Sequence, residues 1–93
     1  MSFYNTIHLP KDLLIERLKK VKKQELKVLA VFQIALDIYL SPADVYFALD
    51  KVYPMTSIRR GITNLTNKGK LVKTKTQRMG MYGTMNYCWK LNK

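Results

Sequence analysis

Apolar residues in the first third of the chain recur every three or four positions, the spacing of one buried face of an α-helix. No Gly or Pro occurs between residues 12 and 37, and Glu25 takes the one position where the repeat fails. The pattern predicts either one long helix or two helices that bend near residues 22–24. The first half is basic and amphipathic, so it either packs on the rest of the domain or pairs with a second copy, whereas the second half belongs to the core. The repeat consists of Leu14, Leu18, Val21, Val28, Phe32 and Ala35.

The next helix is predicted by a start signal that combines Ser41 as N-cap, Pro42 at the first helical position and Asp44 three residues after the cap. Residues 38–40, just before the cap, are suited to a short strand. The helix is expected to end near Val52. Its buried stripe is expected to consist of Val45, Leu49 and Val52.

A third helix is predicted over residues 57–68, with Thr56 as its cap and Gly69 just past its end. One side of this helix carries only apolar residues and a glycine, and we expect it to be buried. These residues are Ile58, Gly61, Ile62 and Leu65. The other sides are polar and carry Ser57, Arg59, Arg60, Thr63, Asn64 and Asn67.

Two alternating stretches rich in strand-forming residues, KLVKTKTQ and TMNYCWKL, predict a β-hairpin whose loop is RMGMYG. The alternation places Met85, Tyr87, Trp89 and Leu91 on one face, which we expect to be buried. Buried aromatic side chains argue against a stacking platform for single-stranded nucleic acid.

Charge narrows the choice of partner. The chain has 17 Lys plus Arg against 6 Asp plus Glu, a formal net charge of +11. The last acidic residue is Asp50, and the ten basic residues that follow it have no acidic counterpart. This basic excess coincides with the third helix and the hairpin, which favours a nucleic acid as partner.

The residue types give little support to catalysis or metal binding. One cysteine, Cys88, and one histidine, His8, cannot build a Cys/His zinc site. The acidic residues form no close pair, and no Gly-rich phosphate loop occurs. We therefore expect a protein that is not an enzyme and needs no cofactor or metal. The lack of a long apolar run and of a signal-peptide pattern predicts a cytoplasmic protein without membrane contact.

Two short helices joined by a tight turn and followed at once by a basic hairpin resemble a winged helix-turn-helix. The resemblance covers about residues 26–91 and is carried by LSPADVYFAL, MTSIRRGITNLTNKGKLVKT and RMGMYGTMNYCWKL. The middle stretch is similar to the junction of recognition helix and wing in small bacterial and phage members, where the phrase S-x-x-R-x-I-x-x-L-x-x-x-G-x-L recurs.

The resemblance implies an α+β, mainly helical fold with a three-helix core, a long N-terminal helix and a C-terminal β-hairpin wing. The expected organisation is a flexible lead (1–10), a basic amphipathic helix or helix extension (11–25) and the winged-helix domain (26–93).

The resemblance also implies contacts with DNA. The third helix would lie in a major groove, where Arg59 and Arg60 would reach guanine edges or phosphates and Asn64 would pair with adenine. The two arginines point about 100° apart on a helix, so one of them is expected to read a base, and the sequence leaves open which. The wing would approach the backbone or a minor groove. The expected contacts are Ser57, Arg59, Arg60, Thr63, Asn64, Asn67, Lys68, Lys73, Lys75, Gln77 and Arg78, with Tyr82 at the tip of the wing.

The main hypothesis is sequence-selective binding of double-stranded DNA by a small transcriptional regulator, or by an accessory factor of a mobile element or phage, at the nucleoid of a bacterial host. A homodimer would form through the N-terminal helix. One alternative is a winged-helix module that docks on a protein, such as a phage protein on a host protein. Another is recognition of duplex RNA across its shallow minor groove.

Overall fold

The computed structural model describes residues 10–35, 38–79 and 83–92. This part of the chain contains four helices followed by a two-stranded antiparallel hairpin, which confirms the expected α+β, mainly helical fold. The lead expected over residues 1–10 lies outside the described residues except for Pro10. The elements are α1 (Lys11–Lys19), α2 (Gln24–Ala35), α3 (Pro42–Ala48), α4 (Met55–Asn67), β1 (Leu71–Met79) and β2 (Met85–Leu91).

The first third of the chain forms two helices, the second of the two alternatives given by the sequence. The chain leaves the helix at residues 20–23, between α1 and α2. Leu14 is buried in the same core as Val28 and Phe32 of α2, and the Arg17 guanidinium donates a hydrogen bond of 2.6 Å to the Gln33 side-chain oxygen. Of the two expectations for α1, the structure therefore shows packing on the rest of the domain.

The predicted start of α3 is confirmed, but its predicted end is wrong. The Ser41 N–H donates to Asp44 Oδ2 at 2.8 Å, and the Asp44 N–H donates to Ser41 Oγ at 3.3 Å, which completes the capping box. The helix ends at Ala48, and Val52 is 68% exposed instead of buried. The cause is the backbone of the next residues, 50 and 51, which have positive φ values of 54° and 60° and turn the chain away.

Helix α4 has the expected buried side and the expected end. Ile58, Ile62 and Leu65 are buried in the core, and Gly69 follows the helix with φ of 79°. The predicted cap is wrong. The N-cap is Pro54, which makes no side-chain capping bond, and the helix begins at Met55, so Thr56 already lies inside it. Pro54 holds φ at −60°, and its carbonyl oxygen accepts the Ile58 N–H at 3.1 Å.

The hairpin follows α4 and carries one further strand contact. Of the strand expected over residues 38–40, a single bridge is present, in which Leu40 exchanges backbone hydrogen bonds of 2.9 and 2.7 Å with Trp89 of β2. The base of the hairpin covers the core through Leu71, with Trp89 and Leu91 packed against it. The order of helix, strand contact, helix, turn, helix and hairpin fits a winged helix, with the hairpin as wing.

The face of β2 expected to be buried is buried only near the base of the wing. Trp89 and Leu91 are partly buried, but Met85 is 55% and Tyr87 44% exposed, and this part of the prediction is wrong. The strands run beyond the core, so the same face that covers the core near Leu71 meets solvent farther out. Cys88, on the opposite face, is fully buried.

Candidate nucleic-acid interface

Helix α4 presents a polar ridge on the side opposite its core contacts. The buried positions 58, 61, 62 and 65 define one side, and four exposed residues spaced by four, three and four positions define the other. Such spacing places side chains in one row along a helix. The row, called the α4 ridge below, consists of Thr56, Arg60, Thr63 and Asn67.

Arg59 and Asn64 flank the α4 ridge on its two sides, each about 70° from its centre line. Both are exposed, as is Arg60. Neither Arg59 nor Arg60 forms an ion pair with another described residue, so each guanidinium charge faces solvent. Ser57 lies at the edge of the helix that turns toward the core and is half-buried.

The flank that carries Asn64 and Lys68 lies against the first turn of α2. The Lys68 ammonium donates to Glu25 Oε2 at 2.5 Å. Hydrogen bonds from Lys68 first and also from Asn64 lower the pKa of the Glu25 carboxyl. Both residues were predicted to contact DNA, and the structure gives both a partner within the protein.

The exposed polar residues of the wing lie mostly on β1. Lys75 and Gln77 are exposed, and so is Lys73, whose ammonium lies 4.4 Å from the centroid of the Tyr87 ring. The Thr74 hydroxyl donates to the Cys88 carbonyl oxygen at 2.8 Å. Lys73 covers the aromatic face, so stacking of a base there would require displacing a cation. Tyr82, expected at the tip, lies outside the described residues.

Arg78 differs from the other wing residues because its side chain turns toward α3. Its Nε lies 3.7 Å from Asp44 Oδ2, and the two side chains are 34% and 8% exposed. Burial raises the pKa of the Asp44 carboxyl, although the hydrogen bonds from Ser41 and the charge of Arg78 oppose the shift. Arg78 was predicted as a DNA contact, and the structure engages it with α3 instead of leaving it in solvent.

Among the described residues, the acidic groups lie outside α4 and the two strands, although Glu25 pairs with Lys68 and Asp44 with Arg78. Asp12 and Glu16 are on α1, Glu25 is on α2, Asp44 is half-buried in the first turn of α3, and Asp50 is in the turn before α4. Neither α4 nor the two strands contains an acidic residue. Within the described ranges, no group of three or more His, Cys, Asp or Glu side chains is placed to hold a metal ion. No helix in these ranges is long and apolar enough to cross a bilayer.

Two features of this surface escaped the sequence prediction. Thr56 belongs to the α4 ridge. Its spacing of four positions from Arg60 could have predicted this, but Thr56 was expected to cap the helix and not to lie within it. The pairing of Arg78 with Asp44 had no signal, because the two residues are far apart in the chain and meet only through the fold.

No family model and no curated protein matches the chain. Among solved structures, a possible transcriptional regulator from Methanosarcina mazei Go1 is similar to it, with a TM-score of 0.62 and 19% sequence identity. The match covers 86% of this chain and 63% of that chain, so this chain spans less than two thirds of that protein's length. At this identity the likeness shows a common fold.

Proposed function

We propose that the protein binds double-stranded DNA, with α4 in the major groove and the wing against the neighbouring backbone or minor groove. The observation that carries the proposal is the coincidence of shape and charge. The α4 ridge and the exposed residues of β1 form the surface of a helix-turn-helix and wing, and neither element contains an acidic residue. The solved structure that shares this fold is that of a possible transcriptional regulator, which is consistent with this proposal.

Charge supplies the sequence-independent part of the affinity. With a net charge of +11, the protein attracts a polyanion at long range, and the exposed cations of α4 and β1 neutralise phosphates on contact. If about six phosphates are neutralised, the logarithm of the binding constant falls with the logarithm of salt concentration at a slope of about −5.

The positions of the two arginines on α4 support different roles for them. Arg60 is in the α4 ridge, between Thr56 and Thr63, and points to the groove floor when the core side points away from DNA. Arg59 is on the flank and points to the groove wall, where the phosphates are. We therefore assign guanine reading to Arg60, with Thr63 and Asn67 as further base-edge contacts, and phosphate contact to Arg59.

The test of this assignment is a pair of matched variants, Arg60→Ala and Arg59→Ala, measured against a selected duplex and against single-base changes in it. Arg60→Ala should cost about 1–3 kcal/mol on the selected duplex and abolish discrimination at one base position. Arg59→Ala should weaken binding to all duplexes equally and reduce the salt slope by about 1. Discrimination lost in Arg59→Ala and kept in Arg60→Ala would refute the assignment.

At the biological level, the proposal is a small transcriptional regulator or an accessory factor of a mobile element or phage that acts at the nucleoid in the cytoplasm. A homodimer through α1 is part of the proposal. It is supported by Leu13 and Ile15, which remain 56% and 48% exposed beside the stripe that packs on the core. Sedimentation equilibrium of the wild type and of a Leu13→Ser, Ile15→Ser variant tests it. A monomer at all concentrations would contradict it.

One observation favours protein docking as a second candidate function. Met79, Met85 and Tyr87 are each more than 40% exposed on one face of the wing, and methionine-rich surfaces adapt to protein partners. Two double variants distinguish these functions when DNA binding is measured for each. Arg59→Glu with Arg60→Glu changes the charge of α4, and Met79→Ser with Met85→Ser changes the apolar face of the wing. Loss of DNA binding in the first variant alone supports the DNA proposal.

A further inference from the structure

The outer part of the wing is separated from its base by irregular pairing. β1 and β2 pair regularly near Leu71 and again from Gln77 outward, and the register shifts between Lys73 and Gln77. Such an irregularity bends a strand and interrupts its ladder, and a two-stranded hairpin is marginally stable alone. The orientation of the outer wing, residues 75–79 and 85–87, therefore depends on side-chain contacts with the helices.

Arg78 makes such a contact. Cross-strand pairing with Asn86 places it on the face opposite Gln77 and Met79, and its Nε lies 3.7 Å from Asp44 Oδ2. This Nε is shielded from solvent and has no hydrogen-bond partner among the described residues, and the Arg78 side chain lies beside the Asp44 carboxylate and the Cys88 thiol. Separating this partly shielded pair leaves the Asp44 charge, whose side chain is 8% exposed, without its counter-charge, which opposes movement of the outer wing away from α3.

Asp44 is itself held in place. Its Oδ2 accepts the Ser41 N–H at 2.8 Å, and its own N–H donates to Ser41 Oγ, so the carboxylate is fixed to the first turn of α3. Helix α3 packs against α4 in the core through Val45 and Leu49. The Arg78–Asp44 pair thus connects the outer wing to the framework that carries the α4 ridge.

We infer that Arg78 is a positioning residue, which sets the angle of the outer wing against the helix-turn-helix so that the wing and α4 engage one duplex together. The inference rests on the proposed function. It assigns to Arg78 an action through Asp44, and not a direct contact with DNA. It also gives Asp44 a part in DNA affinity although Asp44 carries a negative charge and lies on α3, outside the α4 ridge and the wing.

The direction in which DNA affinity changes on removal of the Asp44 charge distinguishes a positioning role from a simple effect of net charge. The substitution Asp44→Asn keeps a side-chain oxygen that can accept the Ser41 N–H, but it removes the charge that attracts Arg78. Removing a carboxylate from a DNA-binding protein by itself leaves affinity equal or raises it. If the pair positions the wing, Asp44→Asn should instead weaken binding to the selected duplex, by about fivefold. Glu16→Gln, which removes an exposed carboxylate on α1, is the matched control and should not weaken binding.

A double-mutant cycle tests the mechanism. Lys75→Met removes an exposed charge from the outer wing and should weaken binding in the wild-type background. In the Arg78→Met background the wing is no longer held against the duplex, so Lys75→Met should have almost no further effect. Arg78→Lys, which keeps the charge, should restore most of the coupling. Thermal unfolding of each variant shows that it is folded, and Asp44→Asn with Arg78→Lys decides the question if Arg78→Met does not fold.

Weaker binding by Asp44→Asn together with coupling between Arg78 and Lys75 supports the inference. Equal or tighter binding by Asp44→Asn, or additive effects of Arg78→Met and Lys75→Met, overturns it and leaves Arg78 as a phosphate contact. Unchanged affinity in both Lys75→Met and Arg60→Ala would overturn the proposed function itself, and the inference with it.

Discussion

The turn between α3 and α4 predicts an unusual order of stability for substitutions at Lys51. Lys51 has φ of 60°, in the left-handed region, and its N–H donates to the Tyr46 carbonyl oxygen at 2.9 Å to close α3. A side chain with a Cβ costs roughly 1–2 kcal/mol there, whereas glycine is free of this cost. Glycine loses about 0.5–1 kcal/mol more backbone entropy than alanine on folding. Lys51→Gly should therefore be more stable than Lys51→Ala by about 0.5–1 kcal/mol.

The comparison of glycine with alanine removes the side chain's own contribution, because both variants lose the contact of the Lys51 ammonium with the Phe47 ring, 5.3 Å away. Urea and thermal unfolding measure the difference, which should appear as about 2–8 °C in Tm for a domain of this size. Thr63, exposed in the middle of α4, gives the control. At this helical position the Thr63→Ala variant should be more stable to unfolding than Thr63→Gly by about 1 kcal/mol. Lys51→Ala at least as stable as Lys51→Gly would refute the left-handed conformation of this turn.

Three further predictions test the core, an ion pair and the buried thiol. Leu14→Ala should cost about 2–4 kcal/mol in urea unfolding because Leu14 is 3% exposed, whereas Lys19→Ala, at an exposed site on the same helix, should change stability by less than about 0.5 kcal/mol. Equal effects would contradict the packing of α1 on the core. The lowered pKa of Glu25 means that its pairing with Lys68 stabilises the fold above the ordinary pKa of 4.5, and that this stability is lost as pH falls through the lowered value. Lys68→Met should flatten the loss of Tm on acidification, and an unchanged pH profile would contradict the pairing. Cys88 is buried and burial raises the pKa of its thiol, so it should react with a disulfide reagent slowly in buffer and rapidly in denaturant. Fast reaction in buffer would contradict its placement.

Local signals in the sequence predicted the parts of the fold that depend on neighbouring residues. The capping box of Ser41 and Asp44 and the glycine after α4 involve residues a few positions apart, and both are present in the structure. The end of α3 was missed because the left-handed turn is formed by Asp50 and Lys51, without the glycine that normally marks such a conformation. The local sequence pattern does not show where non-glycine residues adopt positive φ because the surrounding structure requires it.

The wing shows the other limit of prediction from sequence. Alternation along β2 indicated which residues share a face, but not how far that face extends over the core, and so Tyr87 and Met85 were expected to be buried. The α4 ridge was largely predictable, since helical spacing placed Arg60, Thr63 and Asn67 on the polar sides of this helix. The engagement of Arg78 with Asp44 depends on how β1 crosses α3, which only the folded chain determines.

The most direct test of DNA binding is a fluorescence-anisotropy titration of the wild-type protein with random-sequence duplex DNA at low and at physiological salt, beside the Arg59→Glu, Arg60→Glu variant. If the protein binds DNA as proposed, binding is submicromolar at low salt, the log–log salt slope is about −5, and the variant loses at least about tenfold in affinity. Absent binding at low salt, or binding that neither salt nor the double charge reversal weakens, would contradict the account.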